Sequence, residues 1–493
     1  MKKKWVLMVI ALLALTLFAG CAEENKPEST EATEIETAAP EPSETETGRI
    51  TALPDGTRTI GYYGEGEGMQ NIPDLGAGFF VGVSEANNSC LMATYSAVGK
   101  EDYDNYITLM KKEGYSVACD NGETGINEDV FYTALTKDET TVHLVYRALP
   151  RQISVIVGNE EQISAHLTDS EAFREGNEDG RKTTMYFLDQ VNGQALGIIF
   201  QLKNGHFIIY DGGMPGNADL VLRYLEELAP EGGLPVVEAW FITHGHTDHY
   251  GVLKTFSDHQ NMCDRIIVNG IYVNQPNSEW MTETNSELGA FVTINYVAQF
   301  MMKDENGERP KVYRPVMGQR YFFSDITIEV INSTEFVPVA SGDGDFNESG
   351  TVTIFNTEGQ KVMLMGDAET GCQYNIMNSI RSAYLGTDVF QLSHHGYATV
   401  RAFMDFLPYY TTVLDPSRLL MNPTVDARGT TEYVRSQCEE FYYQGNGVGT
   451  IKVVFPYHVG ELEILGDEYD SYPDVDSKRK SIQDLFDDLW IEG

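Results

Sequence analysis

Apolar positions alternate or recur with helical spacing along most of the chain, and they predict many short strands with few helices between them. In the first third the pattern predicts one helix, over KEDYDNYITLMKKEGY, in which Gly114 is placed to end the helix and one face is shared by Tyr103, Tyr106, Leu109 and Met110. Strands are expected at LMATYSAV, DVFYTAL, TTVHLVYRAL and QISVIVG. We therefore expect a small α+β domain of unknown role over residues 50–178, ending in the polar stretch TDSEAFREGNEDGRK.

The pattern changes after Thr183, where β-branched and aromatic runs are separated by short turns. TMYFLDQV, ALGIIFQL and HFIIYDGG predict an antiparallel meander, followed by a helix over DLVLRYLEEL with Asp219 as its N-cap. Further strands are expected at LPVVEAWFI, RIIVNGIYV, ITIEVI, TVTIF, KVMLMG, DVFQLS and IKVVF. Strands that alternate with helices in this way favour two packed sheets covered by helices, in a domain over residues 179–460.

The first 20 residues have the order of a secretory signal peptide: three lysines, an apolar stretch from Trp5 to Phe18, and the small pair Ala19-Gly20. The apolar stretch is shorter than the roughly 18 residues that a membrane-spanning helix needs. With Cys21 next, this end resembles a bacterial lipobox, which implies a lipid on Cys21 and an extracytoplasmic protein anchored to the bacterial cell membrane. The alternative is an ordinary secreted protein with a chance cysteine at the cleavage site.

Acidic segments flank the expected domains. Residues 21–49 lack aromatic side chains and are dominated by Glu, Thr, Ser, Pro and Ala, which predicts a disordered acidic tether. Residues 461–493 form an acidic tail with a helix-like stretch, SIQDLFDDLWI. The whole chain carries 34 Lys+Arg against 74 Asp+Glu, a net charge of −40. Because phosphate backbones are bound by clustered basic residues, this balance argues against nucleic acid as a partner.

Six cysteines are present, and acylation of Cys21 would leave an odd number. Cys90 and Cys119 lie in the same expected domain, so they are a candidate disulfide pair.

Histidines and acids collect where expected strands end. One strand runs into Thr243-His244-Gly245-His246-Thr247-Asp248-His249, a second into Gly366-Asp367-Ala368 and a third into His394-His395-Gly396. Five of the ten histidines therefore lie in two short segments. Imidazole and carboxylate ligands at this density suit zinc, and chance placement of surface histidines does not explain the set.

These elements resemble the metallo-β-lactamase superfamily, whose signature is H-x-H-x-D-H followed by a bridging Asp and a further His. Within it the resemblance is closest to the hydrolase domain of ComEC-type competence proteins and to teichoic acid phosphorylcholine esterases. FLDQVNGQA, starting at Phe187, is similar to their F-L-D-V-G-Q-G-D-A, and IYDGG, starting at Ile209, to L-I-D-G-G. Asn347-Glu348-Ser349 matches an N-x-S element. The resemblance implies an αββα sandwich.

The resemblance also implies roles for the candidate site residues. His244 and His246 would bind one metal, Asp248 and His249 the second, and Asp367 would bridge them. His395 is favoured as the last ligand, while His394 either completes the other metal site or protonates the leaving group, and the roles of these two histidines stay open. Asp211 would support the histidines from behind, and Asn347 and Ser349 lie near the site or only form a turn.

Two zinc ions are implied, with Mn²⁺ or Fe as alternatives, and they would lower the pKa of a shared water toward about 7. Asp248 and His394 are then the catalytic candidates, and the chain has neither a G-x-S-x-G elbow nor a Walker loop. We therefore expect a surface-anchored dizinc metallohydrolase that cleaves a phosphodiester or related ester, either a small molecule or a cell-envelope component, by metal-bound hydroxide.

Two departures from the family pattern narrow the substrate. No histidine lies between His259 and His394, which argues against a β-lactam, and Asn422-Pro423 lacks the histidine of the competence-type domains, which argues against DNA cleavage. The alternatives are a competence-type DNA/RNA nuclease, a binding lipoprotein with a non-catalytic hydrolase domain, or a hydrolase acting on a lactone or thioester. The sequence leaves the oligomeric state open.

Overall fold

The computed structural model describes residues 69–86, 90–159, 180–190, 195–273, 294, 297–336, 347, 350–416, 425–443 and 449–465. The expected signal peptide, the tether, Ser349 and the helix-like stretch of the tail lie outside these residues. Among the helices of the described residues, none has the length and apolar character needed to cross a membrane.

The first of three sheets is built from six antiparallel strands in the order β1-β2-β6-β5-β4-β3. The strands are β1 (Phe79–Glu85), β2 (Leu91–Ser96), β3 (Ser116–Asp120), β4 (Val130–Lys137), β5 (Thr140–Arg147) and β6 (Gln152–Asn159). Helix α1 (Lys100–Lys112) covers one face through buried Tyr103, Tyr106 and Met110, and Gly114 follows its end at φ 92°. The helix and four of the strands match the sequence prediction, whereas β1 and β3 were not predicted.

The second sheet, named here sheet A, contains nine strands. They are β7 (Thr184–Phe187), β8 (Gly197–Gln201), β9 (Phe207–Asp211), β10 (Val236–Ile242), β11 (Ile267–Val268), β12 (Gly270–Val273), β13 (Lys311–Tyr313), β21 (Ile451–Val454) and β22 (Glu463–Ile464). The order is β13-β12-β10-β9-β8-β7-β21-β22, with β11 beside β10. The meander β7-β8-β9 is antiparallel as predicted, and the pairs from β9 to β13 are parallel.

The third sheet, sheet B, has seven strands in chain order from β14 to β20. They are β14 (Arg320–Phe323), β15 (Ile326–Asn332), β16 (Val352–Thr357), β17 (Gln360–Leu364), β18 (Thr387–Gln391), β19 (Tyr410–Asp415) and β20 (Glu440–Tyr443). Pairing is antiparallel from β14 to β17 and parallel from β17 to β20. The carboxyl ends of β17 and β18 therefore lie side by side.

Sheets A and B pack face to face over an aromatic core, in which Phe200 stacks on Phe355 with ring centroids 4.6 Å apart. The outer face of sheet A is covered by α2 (Ala218–Leu228) and α3 (Thr247–Asp258), followed by the short α4 (Gln260–Cys263). Against sheet B lie α5 (Thr370–Ser379) and α6 (Arg401–Phe406), and α7 (Val425–Gln437) precedes β20. This helix-covered pair of sheets confirms the expected α+β fold.

Helix α2 begins one residue earlier than the sequence suggested. Asn217 is its N-cap residue, and Asp219 lies in the first turn. The prediction of Asp219 as N-cap was therefore wrong. A carboxylate in the first turn also interacts favourably with the helix dipole. An acidic residue near the start of the helix was therefore mistaken for its N-cap.

The six-stranded sheet packs on the face of sheet B that points away from sheet A. Tyr132, Val145 and Ile156 from the first sheet share one buried hydrophobic cluster with Val316 and Met317, which precede β14. Polar contacts reinforce this packing, since the Asn121 side-chain amide donates to the Gly318 carbonyl at 3.0 Å. The first sheet is thus joined to the sandwich by a continuous core.

No disulfide joins the five cysteines of the described residues, so the candidate Cys90–Cys119 pair is not formed. Cys90 lies at the start of β2 and Cys119 in β3, with three strands between β2 and β3 in the sheet. Strands are spaced by about 4.8 Å, so the two residues are separated by roughly 19 Å, far beyond disulfide reach.

Candidate metal centre

Three strand ends meet at one edge of the sandwich. Strand β10 of sheet A runs into the H-x-H-x-D-H segment, and the neighbouring parallel strands β17 and β18 of sheet B run into the G-D-A and H-H-G segments. A backbone hydrogen bond links the two sheets here, because the Thr351 N–H donates to the Thr243 carbonyl at 3.2 Å. The sequence places its histidines and acids in three segments, and the fold brings these segments together.

Asp367 is the centre of the cluster. Its carboxylate is buried, and its Oδ2 atom is surrounded by the Nε2 atoms of four imidazoles. The distances are 3.0 Å to His249, 3.4 Å to His395, 3.7 Å to His394 and 3.9 Å to His244. A carboxylate in this position can contact two cations at once, as a bridging ligand does.

The ligand atoms of Asp248, His249, Asp367 and His395 all lie within 4.8 Å of one another. Asp248 Oδ2 is 3.1 Å from His395 Nε2. Among the buried atoms of this group, Asp367 Oδ1 makes no hydrogen bond, while Asp367 Oδ2 is the atom that His249 Nε2 contacts at 3.0 Å. Buried polar atoms are nearly always paired, so an unpaired carboxylate oxygen among imidazoles fits a divalent cation.

His244 and His246 form the other side of the cluster. The Nε2 atom of His244 lies 3.0 Å from the Nδ1 atom of His246, which precedes α3 and is partly exposed. Burial lowers the pKa of His244 well below its usual value. The imidazole of His244 is therefore neutral at physiological pH, the form that binds a metal.

The remaining groups of the cluster carry opposite charges. Burial alone would lower the pKa of His249 and of His395, but the carboxylate of Asp367 beside both raises the pKa of His249 well above its usual value and that of His395 to about 10. Burial alone would raise the pKa of Asp367, yet His249 and His395 hold it well below the usual range. Protons thus occupy the imidazoles where a metal would take their place.

Asp211 lies behind His249, at the end of β9. Its Oδ2 atom is 2.8 Å from His249 Nδ1 and accepts a hydrogen bond from the Thr243 hydroxyl. Its Oδ1 atom accepts from the Thr243 backbone N–H. These contacts fix the ring so that Nε2 faces Asp367. Asp211 was expected behind the histidines, and its role as a support for a metal ligand stays a prediction.

The H-H-G segment has an unusual backbone. His394 and His395 have φ values of 47° and 51°, and Gly396 follows at 79°. Two successive non-glycine residues in the left-handed region cost of order 1–3 kcal/mol each, so the surrounding structure has to enforce them. Gln391 contributes, since its side chain accepts from the Gly366 N–H at 2.8 Å and donates to the Gly366 and Leu392 carbonyls.

His394 and His395 have different surroundings, which the sequence left open. His395 is buried and faces both Asp248 and Asp367. His394 is about a quarter exposed, and its Nδ1 atom lies 2.9 Å from Glu369 Oε1. The Nδ2 atom of Asn347 is 3.5 Å from His394 Nε2.

Glu369 was not predicted as a site residue from the sequence. The pairing with His394 lowers the pKa of the Glu369 carboxyl and raises that of His394, the latter against the effect of burial. The one signal in the sequence was the position of Glu369, two residues after the bridging acid of the G-D-A element.

Comparison with known proteins agrees with this geometry. Residues 193–397 match the family model described as the metallo-beta-lactamase superfamily, a span that holds all three ligand segments. This part of the chain therefore carries the pattern of that superfamily, whose members are generally metal-dependent hydrolases. No curated protein sequence matches the chain.

Three solved structures are similar to the chain. The metallo-beta-lactamase fold protein YhfI from Bacillus subtilis is 12% identical, with a TM-score of 0.33 over 53% of this chain and 98% of that chain. Zn(2+)-bound PqqB from Methylobacterium extorquens is 10% identical, with a TM-score of 0.35 over 54% and 99%. Tm1679, a metal-dependent hydrolase of the beta-lactamase superfamily, is 12% identical, with a TM-score of 0.29 over 53% and 95%.

Proposed function

We propose that the protein is a lipid-anchored metallohydrolase that holds two zinc ions and cleaves a phosphodiester or a related ester of the cell envelope. One observation carries the proposal: four imidazole Nε2 atoms lie within 3.9 Å of a single buried carboxylate oxygen, Asp367 Oδ2. Four imidazoles around one carboxylate oxygen are more than charge neutralisation needs. The arrangement suits a carboxylate that would be shared by two histidine-bound cations.

The ligands divide into two groups. His244, His246 and Asp367 would hold one ion, and Asp248, His249, His395 and Asp367 the other. Two zinc ions supply a water of lowered pKa and an electrophilic contact for an ester oxygen. Three protein ligands on the first ion leave a position for substrate, which is typical of catalytic rather than structural zinc.

Two side chains of the chain itself are placed to move protons. Asp248 is about a quarter exposed, so its carboxylate reaches both the cluster and the solvent side, where it would hold the attacking water and accept its proton. His394 is exposed to a similar extent and is oriented by Glu369 through Nδ1. Its Nε2 atom, which faces the cluster, would donate a proton to the leaving oxygen.

The substrate class rests on the resemblance to phosphorylcholine esterases and on the charge of the chain. The chain carries 74 Asp+Glu against 34 Lys+Arg, a net charge of −40, so we expect no broad basic surface beside the site. A polyanionic strand of nucleic acid would meet repulsion along its length, whereas a small diester places a single charge near the metals. A nuclease remains an outcome of the experiment below.

Anchoring through a lipid on Cys21 is the second part of the proposal. It rests on the signal-like order of residues 1–20 and on the acidic tether after them. In a bacterial host, the wild-type protein should label with radioactive palmitate and sediment with membranes, and Cys21→Ser should abolish the label. Membrane association without label would contradict acylation.

The catalytic proposal is tested on the full chain by metal analysis followed by a substrate panel. We expect two zinc ions per chain and hydrolysis of bis(4-nitrophenyl) phosphate or 4-nitrophenyl phosphorylcholine. His246→Ala should abolish hydrolysis, while His458→Ala, an exposed histidine in the loop after β21, should retain it. Less than one metal per chain, or activity unaffected by His246→Ala, would overturn the enzyme. Cleavage of single-stranded DNA alone would favour the nuclease, and cleavage of a lactone alone would redirect the substrate class.

A further inference from the structure

Arg147 lies at the end of β5 in the first sheet, and its side chain extends to helix α5 of the sandwich. Its Nη1 atom donates to Asn375 Oδ1 at 2.7 Å and contacts the Ser379 hydroxyl at 3.4 Å, both on α5. The guanidinium lies 4.8 Å from the ring centroid of Phe336. Arg147 is half-buried, and a charged side chain partly removed from water in this way needs polar partners.

The contact continues inward through two asparagines. Asn375 Nδ2 donates to Asn332 Oδ1 at 2.8 Å, and Asn332 Nδ2 donates to the Gly350 carbonyl at 3.0 Å. Asn332 is fully buried at the end of β15, and Asn375 is nearly so. Because each amide uses its oxygen toward one neighbour and its nitrogen toward the next, the direction of every bond is fixed by the Arg147 donor.

Gly350 lies just before strand β16, at the border of the metal centre. Its N–H donates to the Asn347 carbonyl at 3.3 Å, and the next residue, Thr351, donates to the Thr243 carbonyl. The Asn347 side chain lies 3.4 Å from Glu369 Oε1 and 3.5 Å from His394 Nε2. A row of polar contacts therefore runs from the first sheet to His394.

We propose that Arg147 and Asn375 are positioning residues for the metal centre, through which the first sheet holds Asn347, Gly350 and Thr351 against His394 and Thr243. This gives the N-terminal sheet a function in the site rather than a separate activity. The proposal rests on the proposed function only for the identity of the metal, since the row of hydrogen bonds exists without one.

A second contact between the first sheet and the sandwich provides a control variant. Arg381 follows α5, and its Nε atom lies 3.1 Å from the buried carboxylate of Asp129 in the first sheet. None of the hydrogen bonds described for the Arg381 side chain reaches Asn332 or Gly350. Arg381→Met therefore weakens the docking of the first sheet while leaving the row intact.

Two variants break the row at different points. Arg147→Met removes the donor and keeps an apolar stem against Phe336. Asn375→Asp keeps an oxygen for Arg147 but replaces the nitrogen that donates to Asn332, so it cuts the row without removing the docking contact. Each variant of the full chain is measured by hydrogen–deuterium exchange of peptides covering residues 350–353, and by zinc affinity in competition with a chromophoric chelator.

We expect both variants to raise the exchange rate of residues 350–353 at least fivefold and to weaken zinc binding about tenfold, the effect typical of groups behind metal ligands. Arg381→Met should leave both within twofold, even if it lowers Tm. Unchanged exchange in Asn375→Asp would overturn the proposal. So would faster exchange with unchanged zinc affinity. If the wild type binds no zinc, the proposed function fails, whereas the exchange comparison still decides whether the row positions these residues.

Discussion

Asp211 and His249 form a buried pair in which Oδ2 of the carboxylate lies 2.8 Å from Nδ1 of the imidazole. Neither side chain is exposed to solvent. Asp211 adopts a φ of 61° as the last residue of β9, and this strained conformation aims its carboxylate at both His249 and Thr243. The pair sets the direction of His249 Nε2, the atom that faces Asp367.

Asp211→Asn should weaken zinc binding by 10–100-fold without unfolding the protein. Asparagine tolerates the left-handed backbone, but as a neutral group it no longer stabilises the donor at His249 Nδ1. Zinc affinity is measured by chelator competition, with Asp258→Asn on the surface of α3 as the control. Equal affinities for the two variants would show that Asp211 does not support the site.

The stability of the zinc-free protein should depend on pH through His395. Its pKa is raised from 6.5 to about 10 in the folded state. Its contribution is therefore fully present below about pH 6.5 and is lost as the pH rises through 10. In urea unfolding with a chelator present, the wild type should lose more free energy of unfolding between pH 7 and pH 10 than His395→Gln does. Parallel curves for the two proteins would contradict the assignment.

Replacement of His394 and replacement of His395 should have different effects on zinc content and on kcat. His395 faces Asp248 and Asp367, so His395→Ala should lower the zinc content toward one ion per chain or less. His394 is paired with Glu369, so His394→Ala should keep most of the zinc and lower kcat on the active diester by about 10²–10⁴-fold. The measurements are zinc per chain and steady-state kinetics. The reverse pattern would exchange the two roles.

Gly366 should tolerate no side chain. It has a φ of 54°, and an added Cβ would lie 3.0 Å from the side chain of Thr243. Gly359→Ala is a matched control, because Gly359 has a φ of 78° with open space around it. In urea unfolding we expect a loss of about 1 kcal/mol for Gly359→Ala, from the backbone alone, and about 2–4 kcal/mol for Gly366→Ala. Equal losses would mean that Thr243 moves aside.

The sequence predicted the site better than its surroundings. His244, Asp367 and His395 stand in short motifs at strand ends, and alternating apolar residues marked most of those strands. Strand β1 was not predicted because Phe79 and Val81 are exposed and a bulge interrupts the pairing between Phe80 and Gly82. Periodicity detects strands whose apolar side chains face a core, and β1 breaks that rule.

Relationships between distant residues were out of reach for a different reason. Arg147 and Asn375 are far apart in the chain, and nothing local indicates that a half-buried arginine ends at that asparagine. The left-handed backbone of His394 and His395 was not predicted either. Such conformations are predicted from Gly, Asn and Asp, whereas these two positions hold histidine. Both features arise from tertiary packing.

The central claim is that hydrolysis depends on two metal ions held around Asp367. The most direct measurement is a titration of the metal-free full chain with zinc while hydrolysis of bis(4-nitrophenyl) phosphate or 4-nitrophenyl phosphorylcholine, whichever the protein cleaves, is followed. We expect no activity without metal and a rise that saturates at two equivalents per chain, absent in Asp367→Ala. Full activity in the metal-free protein, or the same titration curve for Asp367→Ala, would contradict it.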